Sequence, residues 1–184
     1  MSNGRVSQLA EQLDWHWTGQ LRPRLDGLTD DEYYFEPVPG CWTIRRDGQR
    51  IFPDFAHPPP QPEPLTTIAW RMAHVIVGVL AARVHSHFGG PPAYYESWDY
   101  AADADTALAQ LDDAYRRWHD GVHELADADL DKPVGPAEGP WAHAPMATLI
   151  LHINREVIHH GAEIALLRDL YAHTTTTHPD PKGH

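Results

Sequence analysis

The sequence predicts an all-α protein, a four-helix bundle with a long proline-rich segment between its first two helices. Three observations predict it. Four segments carry apolar residues at three- and four-residue spacing, none alternates as a strand would, and Gly or Pro clusters punctuate the segments. With 184 residues, 42% of them hydrophobic, the chain can bury one ordinary core, so residues 1–172 are read as one domain.

The first helix is expected from Val6 to Leu28, on the recurrence of Val6, Leu9, Leu13, Trp17, Leu21, Leu25 and Leu28, with Pro23 as a kink or break. The stretch from Tyr33 to Leu65 is too long for an ordinary bundle connection. It holds eight prolines together with Cys41, Trp42, Phe52 and Phe55 and reads as a packed lid over one end of the bundle. The second helix, Thr66 to Phe88, is apolar on nearly every side and stops at Gly89-Gly90-Pro91-Pro92, so it belongs in the core. The third, Asp105 to Ala126, has the cleanest stripe: Leu108, Leu111, Tyr115, Trp118, Val122 and Leu125. The fourth, Pro145 to Tyr171, gathers Leu149, Ile153, Val157, Ile164, Leu167 and Tyr171 on one side, with Pro145 suited to its first turn. Residues 173–184 lack apolar periodicity and are expected to be disordered.

Composition narrows the function. A formal net charge of −12 with only 14 Lys and Arg leaves no basic face for a phosphate backbone, so nucleic acid is not an expected partner. The polar start and the charges within the most apolar segment argue for no membrane and a cytoplasmic location. Cys41 is the single cysteine, which excludes an internal disulfide and a Cys-based metal site.

The chemistry sits on helices two and four. Glu156 and His160, four residues apart, lie about 40° from each other on the helical wheel at 100° per residue, and both turn toward the apolar stripe. An ionised carboxylate there needs a counter-charge. One solution is a plain Glu–His ion pair across a turn. The other is a metal ion, which His74 favours: it lies midway along the apolar second helix with no acid one turn away. Two imidazoles and a carboxylate supply three ligands for one divalent ion, zinc first, with nickel or another first-row metal as alternates, and leave positions open.

The remaining histidines read as bystanders. His152 and His159 lie with Glu163 on a polar face suited to solvent, supporting or dimer contacts. His85 and His87 are accounted for by the negative end of helix two. His16, His119, His123 and His143 are read as having no partner at diagnostic spacing.

Helix two, with Ile68-Ala69-Trp70-Arg71-Met72-Ala73-His74, and helix four, with Asn154-Arg155-Glu156-Val157-Ile158-His159-His160-Gly161-Ala162-Glu163-Ile164, together resemble the DinB-like superfamily. The resemblance spans Val6 to Tyr171. It implies a four-helix bundle with a metal triad, one His from helix two and two ligands four residues apart on a later helix, here His74, Glu156 and His160. The Glu-x-x-x-His form is similar to that of mycothiol-dependent maleylpyruvate isomerases. It implies a metal-dependent thiol S-transferase using a low-molecular-weight thiol such as mycothiol and a small electrophilic substrate. A metal-dependent hydrolase and a non-catalytic metal- or small-molecule-binding protein are the alternatives. The apolar excess of helices two and four further suggests a homodimer.

Overall fold

In the computed structural model, which describes residues 4–175, the chain is mainly helical, with four long helices around one apolar core. The first, α1, covers residues 5–24: a regular helix over Arg5–His16, a wide π-type stretch over Trp17–Leu21 and a last turn over Arg22–Arg24. Gly4 offers no side chain to cap it. Asp127 does so from a distant loop, accepting from the Arg5 and Val6 backbone N–H groups at 3.0 and 2.9 Å. Pro23 sits in the final turn, and the helix ends at Arg24 rather than Leu28.

A short helix, α2 (Asp30–Tyr33), follows, closed by a Thr29/Glu32 capping box. Glu32 also accepts from Arg168 at 2.9 and 3.0 Å, a largely buried ion pair in which Arg168 overcomes burial and holds the carboxyl below its usual range.

The proline-rich segment departs from the expectation of no strands. Ile44–Asp47 (β1) and Arg50–Pro53 (β2) form an antiparallel hairpin, Asp47 facing Arg50 across a turn in which Gly48 takes φ +59°. Ladder hydrogen bonds stabilise this hairpin, because most of its side chains stay partly or fully exposed. It rests on the start of the next helix: Trp42 lies 5.7 Å from Trp70, and the Trp70 indole N–H donates to the Asp54 carbonyl at 2.7 Å. Phe55 is not packed into this cover; it is 77% exposed.

Helix α3 (Ile68–Phe88) starts on a Thr67 cap and stops where Gly89 turns left-handed at φ +67°. Its middle, His74–Ala81, is wound as a wide π-type stretch, a distortion that recurs at functional sites. By length and hydropathy α3 could cross a membrane, but two thirds of its apolar window is buried inside the protein, as befits a core helix. Helix α4 (Ala104–His123) begins on Asp103, which accepts from the Thr106 N–H at 2.7 Å, and ends three residues before the expected Ala126. Two 3-10 turns, Asp127–Asp131 and Pro136–Trp141, lead to α5 (Met146–Thr175). Residues 173–175 therefore continue α5; the rest of the tail expected to be disordered, 176–184, lies outside the described residues.

Helix α1 packs on α4 and α5, and α3 packs on the same two. The order around the core is thus α1, α4, α3, α5, with the α3/α5 and α1/α4 seams on opposite sides. Gly161 lets α1 and α5 approach: a Cβ there would fall 3.0 Å from Leu21 and 3.1 Å from the His16 ring.

Candidate functional site

The α3/α5 seam brings His74, Glu156 and His160 together. Each offers a ligand atom, and the three atoms all lie within 4.8 Å of one another. The His74 and His160 rings meet edge to face with centroids 4.8 Å apart, and His160 Nε2 lies 3.4 Å from Glu156 Oε2. Tetrahedral ligands of a first-row ion stand roughly 3.5 Å apart, so a small inward movement would bring the three donors to that spacing and leave a fourth position open.

The tautomers follow from the groups behind the rings. His160 Nδ1 lies 2.7 Å from Glu163 Oε2, a carboxylate that can only accept, so Nδ1–H donates to it and, in the neutral ring, Nε2 keeps its lone pair. Glu163 is itself paired with Arg71, whose Nε lies 2.9 Å away. His74 Nδ1 lies 3.2 Å from the Tyr95 hydroxyl. With that oxygen accepting from Nδ1–H, His74 Nε2 also carries a free lone pair. In those tautomers two nitrogen lone pairs and a carboxylate converge, a donor set that fits a divalent cation. Metal-bound histidines are commonly oriented by such an acceptor on the other ring nitrogen.

Electrostatics agree. Burial, then His160 and Arg71, pushes His74 down to about 4, so its imidazole is neutral at pH 7. Burial raises the Glu156 carboxyl, but His152, Arg155 and His160 outweigh it and hold it below the usual range. It is ionised and ready to neutralise a cation.

Glu163, on the face read as open to solvent, supporting or dimer contacts, takes the supporting role at a three-residue offset from His160. Sequence reasoning misses one supporting residue, Tyr95. Tyr95 lies in the loop between α3 and α4, where no periodicity points to it. Gly78 admits it: a Cβ at that position would come within 1.7 Å of the Tyr95 hydroxyl. Trp70 stacks on His74 at 5.7 Å and thereby joins the hairpin to the site.

Among the other histidines, His152 approaches Glu156 Oε1 at 3.5 Å and His159 approaches Glu163 Oε1 at 3.4 Å, so both border the site. The helix-dipole reading of His87 is insufficient: the ring is buried and Nε2 lies 2.9 Å from Glu138 Oε1. His85 contacts the Gly90 carbonyl at 3.0 Å and the Tyr94 hydroxyl at 3.2 Å. The reading of His119 and His123 as unpartnered is overturned. They stand four residues apart on α4 with ring centroids 4.2 Å apart, and Asp14 of α1 faces both. Cys41 is buried against the Val38 carbonyl.

A cavity of about 660 Å³ is lined by none of the triad residues but by two of their neighbours, His152 and Arg155, which contact the Glu156 carboxylate. Arg83, Val134, Trp141 and Leu149 form other parts of its wall.

Residues 50–164, from the hairpin through most of α5 and including all three triad residues, match the family model described as the DinB superfamily. No curated protein and no solved structure matches the chain. The match covers more than half of the sequence, and the chain belongs to the DinB superfamily.

Proposed function

We propose that the chain is a metal-dependent thiol S-transferase, holding one divalent ion, zinc foremost, through His74, Glu156 and His160. On this reading the four long helices form a DinB-type four-helix bundle with the proline-rich segment as its cover. The observation that carries the metal reading is the convergence of two lone-pair nitrogens and an ionised carboxylate within 4.8 Å, each ring backed by its own acceptor. A divalent ion there would supply the positive charge that favours a thiolate over a thiol.

The chain's own residues supply binding and orientation. Glu163 and Tyr95 hold the two imidazoles, and Arg71 holds Glu163. The cavity has a volume suited to a small molecule, with Arg83 and Arg155 to engage carbonyl or carboxylate oxygens and Val134, Trp141 and Leu149 to displace water. His152, shared between cavity and Glu156, would, in its neutral form, accept the proton that an incoming thiol gives up. With Cys41 buried, this reading takes its thiol from a low-molecular-weight donor such as mycothiol. Leu151, Leu166 and Leu170 are exposed on α5 and support a homodimer.

The test is thiol consumption across a panel of small electrophiles, with and without added divalent ions. Zinc-dependent consumption that His160→Ala returns to the uncatalysed rate supports the reading. Zinc bound with no consumption would make this a non-catalytic binding protein, and zinc-dependent ester cleavage without thiol would make it a hydrolase.

A further inference from the structure

We propose a second divalent-metal site on the opposite, α1/α4 seam, formed by Asp14, His119 and His123. These residues again place three ligand atoms within 4.8 Å of one another. A single oxygen, Asp14 Oδ2, lies 3.1 Å from His123 Nε2 and 3.7 Å from His119 Nε2. Two imidazoles four residues apart on one helix and a carboxylate from its neighbour are a donor set for zinc or another first-row divalent ion.

The carboxylate is aimed. Its other oxygen, Oδ1, accepts from the Tyr115 hydroxyl at 3.0 Å, and the Tyr115 ring is stacked on Trp17 at 3.8 Å and 4°. Burial and Asp14 both raise the Tyr115 pKa, so its O–H stays protonated and remains a donor. That leaves Oδ2 facing the two rings. His119 is aimed too: Nδ1 lies 3.1 Å from Asp120 Oδ1. With Nδ1–H donated to Asp120, the lone pair of Nε2 points at the lone pairs of Asp14 Oδ2. Two acceptors facing each other are stable with a cation between them. The metal-free alternative is a proton in the same place: His123 Nε2–H donating to Oδ2 at 3.1 Å, beside a His119 imidazolium bridging Asp14 and Asp120.

All three residues are partly open to solvent, so an ion can enter and water can fill its remaining positions. Asp14 lies on α1, outside the matched residues 50–164. A bound ion would tie α1 to α4 across their seam without touching the triad.

Zinc titration of the full chain by calorimetry, compared with His123→Gln, Asp14→Asn and His160→Gln, tests this. Circular dichroism checks that each variant folds. The expected result is two binding events in the parent, one lost in both His123→Gln and Asp14→Asn, and the other lost in His160→Gln. A parent event that His123→Gln abolishes and His160→Gln leaves intact would still support this site while removing the triad's metal. Parent-like stoichiometry and affinity in both His123→Gln and Asp14→Asn would overturn the proposal and leave the imidazolium bridge.

Discussion

The α3/α5 and α1/α4 seams present the same chemical parts, two imidazoles and one carboxylate, in different solvents. On the first seam the His160 side chain is 9% exposed and that of Glu156 is 24% exposed; on the second, Asp14, His119 and His123 are 28%, 35% and 41% exposed. The difference lies in the cost of leaving the donors uncompensated. In low dielectric an unpaired carboxylate and misdirected lone pairs are expensive; near water they are cheap. The inner seam therefore invests in supports: Glu163 and Arg71 behind His160, and Tyr95, admitted by Gly78, behind His74. The outer seam has Tyr115 behind Asp14 and Asp120 behind His119.

The largest expected effect breaks the inner support. Glu163→Gln keeps the shape but weakens the acceptor that orients His160, and should lower zinc affinity at the α3/α5 seam about 10–100-fold. Competition against a chromophoric chelator measures it. Zinc affinity at the α1/α4 seam should not change.

A second expectation concerns pH. His74 falls from 6.5 to about 4 on folding, so between those values the unfolded chain binds the extra proton. The stability of the metal-free protein is then fully present above about 6.5 and declines as pH is lowered toward 4. Denaturant titrations over that range should show the decline in the parent and a shallower one in His74→Asn.

The smallest effect belongs to the outer seam. Tyr115→Phe removes the hydroxyl that fixes Asp14 while leaving the ring on Trp17. It should cost about 1 kcal/mol in denaturant unfolding and should weaken zinc only at the α1/α4 seam.

What could be read from sequence follows the same division between regular and irregular backbone. The long helices were legible because Leu, Ile and Trp recur at helical spacing, and Glu156 and His160 were legible because one helix carries both. The hairpin was not: each strand has only four residues, with one buried side chain among the eight, so no alternation marks it. Asp47-Gly48 was its one local signal. Tyr95 comes from a loop, and its approach depends on an absent Cβ at Gly78 rather than on any pattern of its own. His119 and His123 carried the right spacing, but their carboxylate comes from a polar position on another helix, a pairing that only the packing of α1 on α4 reveals.

The most direct test of the inner seam is a chelator experiment on the parent and Glu156→Gln, purified without chelators. The substitution preserves shape and removes the charge that compensates a divalent ion. If His74, Glu156 and His160 hold the ion, chelator should lower the melting temperature of the parent, because loss of a ligand that binds only the folded state removes its stabilisation. To isolate this seam, both proteins carry His123→Gln. Metal analysis should then find one equivalent in the first protein and none in Glu156→Gln, whose melting temperature chelator should leave unchanged. No metal in either protein and equal indifference to chelator would contradict the account and leave Glu156 and His160 as a plain ion pair across one helical turn.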